Sequence, residues 1–272
     1  MRRLPATAKL NLALVVGPRR ADGKHEVATV LQRIDLADRV AVESADRLRV
    51  EGFEDDTLVR RALERLAEEG GVVPRWSARI TKRIPVAAGL GGGSSDAATA
   101  LRLANETLER QLEPAQLATL AAELGADVPF FLVPGPQLGE GDGSELRPLD
   151  LPQDYWVVIL LTDDAAKPST ASVYAAFDER EGEQGFAERR ARLLGALTEI
   201  RRARDLASLP ANDLASSPLA AELVARGAFR ADVTGAGPAV YGLFLDRATA
   251  HEAARDLRFF GRTWLSVPTW YF

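Results

Sequence analysis

The fold of this chain is decided by one stretch of sequence, Pro85-Val86-Ala87-Ala88-Gly89-Leu90-Gly91-Gly92-Gly93-Ser94-Ser95. It places four glycines and two serines between a strand-like and a helix-like segment. Glycines let the backbone turn tightly and bring successive N–H groups toward an anion, and a following helix directs its positive dipole end to the same place. The stretch therefore predicts a loop that binds phosphate.

The residues on either side support this prediction. Apolar and polar residues alternate over 76–84, which is typical of a strand with one covered face. Residues 96–108 repeat alanine and leucine at helical spacing, and Ser94 or Ser95 is available as the helix N-cap. The loop is therefore expected to join a strand to a helix.

The type of nucleotide loop can be narrowed by its spacing. A Walker A loop ends in Gly-Lys-Ser/Thr, whereas Gly93 is followed by Ser94. The dinucleotide-binding pattern Gly-x-Gly-x-x-Gly/Ala also fails, and neither His-Arg-Asp nor Asp-Phe-Gly of the protein kinases occurs. A tight turn without a ligand remains the alternative, because a lone glycine motif is weak evidence.

Composition limits the remaining function classes. The chain has 272 residues, of which 46% are hydrophobic and 27% charged, and this indicates a soluble globular protein of one or two domains. The net charge of −5 argues against nucleic acid as a partner. The lack of cysteine fits a cytoplasmic location, and no apolar run approaches the roughly 18 residues of a membrane span. With only His25 and His251, acid–base chemistry is expected to rest on carboxylates or lysines.

The order of the predicted elements indicates an α+β fold. The first half is expected to hold strands and helices as follows: strands at 10–16, 27–34, 39–43, 48–51 and 76–84, and helices at 57–69, 96–108 and 114–124. The Pro- and Gly-rich stretch 134–143 is the best boundary candidate on composition. The second half is expected to hold strands at 156–161 and 263–267 and a pair around 235–237, with helices at 171–177, 186–209, 214–226 and 248–257.

Three separated motifs resemble those of the GHMP small-molecule kinases: Ala8-Lys9-Leu10-Asn11-Leu12, the 85–95 loop with Asp96-Ala97-Ala98, and Thr234-Gly235-Ala236-Gly237. Further stretches are similar to the members whose substrate is a cytidine-diphosphate-linked alcohol of isoprenoid synthesis: Ala21-Asp22-Gly23-Lys24-His25, Thr29-x-x-Gln32 with Asp35 and Asp38, and Leu124-Gly125-Ala126-Asp127-Val128-Pro129. The resemblance covers nearly the whole chain.

The resemblance implies a two-lobed α+β fold. Its N-terminal lobe, residues 1–148, would be ribosomal-S5-like and bind ATP, and its C-terminal lobe, residues 149–272, would be ferredoxin-like and bind the substrate. The implied ligands are ATP, Mg²⁺ and a small molecule with a cytidine diphosphate moiety. The expected state is a monomer or homodimer.

The resemblance also assigns residue roles. Asp127 would orient and deprotonate the substrate hydroxyl, and Lys9 would stabilise that carboxylate and the transferred phosphoryl group. The loop 85–95 would hold the triphosphate, with Ser94 or Ser95 near Mg²⁺, whose protein ligands stay unassigned. Taken alone, a strand lysine usually reaches solvent, and an aspartate after Gly-Ala is as often a cap or turn residue.

The implied substrate-binding residues are Asn11, Lys24, His25, Tyr174, Thr234, Gly235 and Gly237. His25 would hydrogen-bond the cytosine and Tyr174 would stack on it. Lys24 stands where the family usually has tyrosine, which puts the affinity for cytidine in question. Two alternatives remain: a GHMP kinase for another small alcohol, and a non-catalytic nucleotide- or RNA-binding module on the same fold.

Overall fold

The structure, a computed structural model, describes residues 2–53, 58–162 and 169–269. Within these ranges the strands are β1 (Arg2–Arg19), β2 (His25–Ser44), β3 (Arg49–Glu51), β4 (Trp76–Thr81), β5 (Gln137–Glu140), β6 (Glu145–Pro148), β7 (Trp156–Leu161), β8 (Arg230–Val233), β9 (Val240–Phe244) and β10 (Arg262–Ser266). The α-helices are α1 (Leu58–Glu69), α2 (Gly92–Asn105), α3 (Pro114–Leu124), α4 (Thr170–Glu179), α5 (Phe186–Glu199), α6 (Leu219–Ala225) and α7 (Arg247–Asp256). Thr57, the first residue of the predicted helix 57–69, lies outside the described residues.

The first sheet is built on the long antiparallel pair of β1 and β2. Its strand order is β3-β4-β2-β5-β6, with β1 also paired to β2. The sequence predicted two strands at 27–34 and 39–43, but β2 runs through both. The residues between them form a bulge, where the carboxylate of Asp35 accepts hydrogen bonds from Ser266 Oγ at 2.5 Å and Val267 N at 3.0 Å. The chain therefore bends here without leaving the sheet.

The second sheet is antiparallel throughout, in the order β10-β7-β9-β8. Numbered along the chain these strands lie in the order 4-1-3-2, and the helices between them complete the predicted ferredoxin-like arrangement. The continuous apolar run of β7 follows from burial on both faces. Val157 and Ile159 pack toward β1 and α5, whereas Val158 and Leu160 pack toward α6 and α7.

Two predicted helices are shorter in the structure. The helix predicted over 186–209 ends at Glu199, because the Asp205 carboxylate accepts hydrogen bonds from the backbone of Arg201 and Arg202 and begins a separate 3-10 helix. The helix predicted over 214–226 begins only at Leu219, directly after Pro218. In the described part of the chain, none of the helices has both the length and the apolar character needed to pass through a bilayer.

The Pro- and Gly-rich stretch 134–143 contains a strand. β5 lies inside it and pairs with β2, with Thr29 opposite Gly139. A Cβ added at Gly139 would lie 2.9 Å from the carbonyl oxygen of Gly143 in the β5–β6 turn and 3.1 Å from Thr29 Cγ2 of β2, so a side chain has no room there. The composition that made this stretch a boundary candidate therefore serves a tight hairpin in the first sheet.

Candidate active site

A cleft of about 760 Å³ lies between the two sheets, and residues from both halves of the chain line it. Most of the predicted site residues are at its wall: the loop from Pro85 to Ser94, Lys9, Asn11, Lys24, His25, Asp127, Tyr174, Gly235 and Gly237. Two are not. Ser95 and Thr234 are almost fully buried behind the cleft surface.

The glycine loop is shaped by residues with positive φ. Ala87, Gly89 and Gly91 have φ values of 64°, 81° and 71°. A Cβ at Gly89 would lie 2.3 Å from the carbonyl oxygen of Thr234, and a Cβ at Gly91 would lie 2.9 Å from Lys9 Cγ. Glycine at 89 and 91 therefore serves both the backbone conformation and the close approach of neighbouring elements.

Helix α2 begins inside the loop and points its N-terminus at the cleft. Its N-cap is Gly91, so the prediction of Ser94 or Ser95 as N-cap is wrong, and both serines lie in the first turn. The first hydrogen bond of the helix runs from Ser95 N to Gly91 O at 2.9 Å. The N–H groups of 92–94 have no acceptor within the helix, and an anion in the cleft could accept from them.

Lys9 and Asp127 face each other across the cleft floor. Lys9 Nζ lies 3.5 Å from Asp127 Oδ2, and the two side chains are 5% and 43% exposed. The ammonium also donates to Asn11 Oδ1 at 2.6 Å. Lys9 N donates to Leu90 O at 2.9 Å, which ties β1 to the loop. The lysine is therefore buried and directed, whereas the carboxylate stays open to a ligand.

A buried arginine holds the turn that follows Asp127. Arg33 donates to the carbonyl oxygens of Phe130 and Val133 at 2.8 and 2.7 Å, and burial lowers the pKa of its guanidinium to about 10. The ring of Phe131 from the same turn lies against Gly91. The turn carrying the carboxylate is thus packed against the phosphate loop.

A polar network supports the lysine from behind. Asn11 Nδ2 donates to Thr29 Oγ1 at 2.8 Å, and the Thr29 hydroxyl donates to Ala13 O at 2.8 Å. Asn11 N donates to the hydroxyl of Thr234 at 3.1 Å, although Thr234 is fully buried. Thr234 therefore joins β1 to the turn after β8, where Gly235 lines the cleft.

A buried ion cluster beside the loop was not predicted from the sequence. Lys82 Nζ lies 2.5 Å from Asp38 Oδ2 and 2.7 Å from Asp96 Oδ2, and both carboxylates are fully buried. Burial alone would lower the pKa of Lys82, but the charges and hydrogen bonds of Asp96 and Asp38 outweigh it and raise the pKa. In the sequence, the only indication of this cluster is that Lys82 precedes the glycine loop and Asp96 follows it. Their contact with Asp38 cannot be predicted locally, because it forms only when β2 and β4 pair in the sheet.

The far end of the cleft is aromatic. The rings of His25 and Tyr174 stack with centroids 4.8 Å apart, and Phe177 meets His25 edge-on at 5.9 Å. Burial, followed by the charge of Asp127, raises the pKa of Tyr174 to about 12, so its phenol is neutral. His25 Nε2 lies 2.7 Å from Asp178 Oδ1, a partner that no sequence pattern indicated.

Lys24 is engaged at the rim of the same end. Its ammonium pairs with the carboxylate of Asp142 in the β5–β6 turn, and both residues line the cleft. Burial alone would raise the pKa of Asp142, but hydrogen bonds from Lys24 and Ser144 lower it to about 2. The residue that replaces the family tyrosine therefore forms an ion pair across two turns.

Comparison with known proteins is consistent with this geometry. The family models described as "GHMP kinases N terminal domain" and "GHMP kinases C terminal" match residues 57–135 and 184–263. The chain belongs to the GHMP kinases. A relative named 4-diphosphocytidyl-2-C-methyl-D-erythritol kinase from Anaeromyxobacter sp. (strain Fw109-5) is 40% identical over 93% of this chain and 85% of its own. One of the same name from Moorella thermoacetica is 38% identical over 94% of each chain.

Solved structures of similar fold agree with the assignment to the GHMP kinases. A crystal structure of 4-(cytidine 5'-diphospho)-2C-methyl-D-erythritol kinase aligns with a TM-score of 0.80 and 31% identity, over 98% of this chain and 99% of that one. A mevalonate kinase aligns with a TM-score of 0.76 at 14% identity over all of both chains, a likeness of fold alone. The predicted family and two-lobed α+β fold are confirmed.

The arrangement suits a GHMP kinase chemically. Phosphoryl transfer requires an anion cradle, an acceptor for the proton of the attacking hydroxyl and positive charge near the transferred group. The N-terminus of α2, the carboxylate of Asp127 and the ammonium of Lys9 offer these three features within one cleft.

Proposed function

We propose that this chain is a 4-diphosphocytidyl-2-C-methyl-D-erythritol kinase, which transfers the γ-phosphate of ATP to the 2-hydroxyl of its substrate in the non-mevalonate isoprenoid pathway. The observation that carries the proposal is the Lys9–Asp127 pair, 3.5 Å apart in the cleft that the glycine loop lines. Support comes from relatives of that name, which are 38–40% identical over more than nine-tenths of the chain.

The loop and the first turn of α2 would bind the triphosphate. The N–H groups of 92–94 have no acceptor within the helix, and the helix dipole favours negative charge at this end. Ser94 lines the cleft and can offer its hydroxyl, whereas Ser95 is buried. Binding there would leave the γ-phosphate toward Lys9 and Asp127.

Asp127 would accept the proton of the substrate hydroxyl and hold it in line with the γ-phosphate. Its carboxylate is open on the cleft side and has Lys9 on the other. Lys9 is directed by Asn11, so its charge is placed before the substrate arrives and needs little reorganisation during the reaction. The lysine would also stabilise the negative charge of the transferred phosphoryl group.

The residues present fit Mg²⁺ in the form that kinases use. In the described residues, no group of three or more carboxylate, histidine or cysteine side chains could hold a metal by itself. Mg²⁺ is usually bound by one or two protein oxygens together with substrate phosphates. Ser94 is the oxygen donor of the loop at the cleft wall that would complete such a shell, whereas Asp127 would be left for the substrate hydroxyl. The ion would neutralise phosphate oxygens.

The cytidine diphosphate would lie at the aromatic end. Tyr174 offers a neutral ring, and His25 offers a ring nitrogen for the base. The charge of Lys24 is balanced by Asp142, so Lys24 would not act as a free cation toward the diphosphate. Its aliphatic chain and the ion pair would instead form the edge of the cleft. Gly235 and Gly237 would let the backbone approach the substrate from the second lobe.

A phosphoryl-transfer assay with several alcohols tests the proposal. Purified protein with ATP and Mg²⁺ is offered cytidine-diphosphate-linked methylerythritol, mevalonate or homoserine, and ADP release is followed. We expect turnover with the cytidine-linked substrate alone. Turnover only with an alcohol that lacks cytidine would overturn the choice of substrate and leave the family assignment intact.

A further inference from the structure

The His25 ring is enclosed by aromatic and charged neighbours that leave one nitrogen for a ligand. Its side chain is only 3% exposed, yet the residue lines the cleft. Tyr174 covers one ring face and Phe177 meets the ring edge-on. Nε2 lies 2.7 Å from Asp178 Oδ1, so among the described residues Nδ1 is the ring nitrogen left without a hydrogen-bond partner.

The partner of Nε2 determines what Nδ1 can do. An ionised carboxylate only accepts hydrogen bonds, so the proton of a neutral imidazole lies on Nε2 and Nδ1 keeps its lone pair. Asp178 is itself oriented, because its other oxygen, Oδ2, accepts a hydrogen bond from Arg19 at 3.0 Å. Because Arg19 lies on β1 and Asp178 on α4, the carboxylate is fixed from both lobes.

We propose that Asp178, held by Arg19, is a positioning residue that fixes the tautomer of His25. The fixed tautomer makes the cleft select a base with an amino group over a base with an oxo group at the same ring position. The inference rests on the proposed function, which brings a cytidine diphosphate to this end. The amino group of cytosine donates to Nδ1. The oxo group of uracil would set one lone pair against another and leave a desolvated acceptor unsatisfied.

The other charged groups at this end are paired elsewhere. Lys24, next to His25 in sequence, pairs with Asp142, and Asp127 pairs with Lys9. The phenol of Tyr174 has a pKa of about 12, raised by burial, so it stays neutral. Asp178 is therefore the group that decides the proton position on His25.

The tautomer can be read directly by long-range ¹⁵N–¹H NMR of the imidazole rings at neutral pH. The chain has only two histidines, so His251→Gln assigns both sets of signals. We expect His25 of the unmodified protein to be protonated on Nε2 alone. Asp178→Asn should shift His25 to a mixture of tautomers, because an amide can either donate or accept, while His251 stays unchanged. A His25 protonated on Nδ1, or on both nitrogens, in the unmodified protein would overturn the proposal.

Binding of free nucleotides tests the selectivity without turnover. Calorimetry with cytidine diphosphate and uridine diphosphate should give a preference for cytidine on the order of 10- to 100-fold, as expected for one unsatisfied buried acceptor. Asp178→Asn should reduce that ratio to within about threefold, and Arg19→Met should reduce it in part. Glu140→Gln is the matched control, because Glu140 also pairs with an arginine but does not line the cleft.

The two proposals fail in distinguishable ways. A protein that binds cytidine diphosphate selectively but phosphorylates no cytidine-linked alcohol contradicts the proposed function and leaves this inference standing. An active kinase whose cytidine-to-uridine ratio is unchanged in Asp178→Asn, at an unchanged melting temperature, contradicts this inference and leaves the proposed function standing. The unfolding curve of each variant separates loss of fold from loss of selectivity.

Discussion

The two residues of the Lys9–Asp127 pair differ in burial, and this difference fits their different proposed roles. Lys9 is held by Asn11 in an almost closed environment, whereas Asp127 stays 43% exposed toward the ligand space. We predict that Asp127→Asn lowers kcat by about 10²- to 10⁴-fold, because an amide cannot accept the hydroxyl proton. ATP affinity, measured by calorimetry, should change little, because the triphosphate is held by the loop.

Glu123→Gln is the control for that variant. Glu123 lies at the end of α3, close to Asp127 in sequence, but its carboxylate pairs with Arg65 on the outer surface. Its kcat should match that of the unmodified protein. Full turnover in Asp127→Asn would remove this carboxylate from the proposed mechanism.

The low pKa of Asp142 predicts how the free energy of unfolding changes in acid. Its folded-state pKa of about 2 lies below the ordinary value of 3.8, so the carboxylate favours the folded state above about pH 4 and loses that contribution as the pH falls toward 2. We expect Asp142→Asn to have a lower free energy of unfolding than the unmodified protein at pH 6, with the difference shrinking by pH 2.5. Urea unfolding curves at both pH values measure it, and a difference that stays constant with pH would contradict the assignment.

At the scale of elements, the contact between the glycine loop and the turn after β8 leaves no space for a side chain at Gly89. Gly89 has a φ of 81°, and a Cβ there would lie 2.3 Å from Thr234 O. Gly89→Ala should therefore weaken ATP binding and lower the free energy of unfolding by more than conformational strain alone. Gly135→Ala is the matched control, since Gly135 has a φ of 69° with nothing within 4 Å of the added methyl, so strain of about 1–2 kcal/mol is expected there. Equal losses in both variants would show that the contact is unimportant.

The sequence was sufficient for the elements whose residues act locally. The loop, the strand before it and the helix after it were predicted, because glycine conformation and apolar period are local properties. The N-cap was misassigned to Ser94 or Ser95: Gly91 is the N-cap, where its left-handed φ of 71° and the closeness of Lys9 and Phe131 favour glycine. Helix α5 was predicted ten residues too long for a similar reason: the cap supplied by Asp205 outweighs helix propensity after Glu199.

Hydrogen-bond and ion-pair partners that are far apart in sequence could not be predicted. Asp178 meets His25 and Asp142 meets Lys24 only because α4 and the β5–β6 turn are folded onto the start of β2. Nothing in the local sequence of either aspartate distinguishes it from an ordinary surface carboxylate. Asn11 and Lys9, by contrast, stand two residues apart on one strand and so on one face, which a period-2 pattern does indicate.

For the whole molecule, one large apolar cluster spans both lobes, whereas two further clusters lie within one lobe each. Leu12 and Val30 of the first sheet lie in the same buried cluster as Val157 and Tyr241 of the second. The hydroxyl of Tyr241 donates to Leu12 O at 3.3 Å, across the two sheets. The proposed lobes, 1–148 and 149–272, therefore divide the binding motifs between them but share the apolar cluster between the two sheets.

This shared cluster predicts that the chain unfolds as one unit. A single cooperative transition is expected by circular dichroism and by fluorescence, with coincident midpoints. Fragments 1–148 and 149–272 made separately should each expose an apolar face and fail to unfold cooperatively, because β1 and β7 would lose the partners that cover them. Leu12→Ala should lower the free energy of unfolding by about 2–5 kcal/mol and keep the transition single. Two separate transitions, or a cooperatively folded fragment, would mean that the lobes are independent domains, and closure of the cleft would then be a motion of one domain against the other.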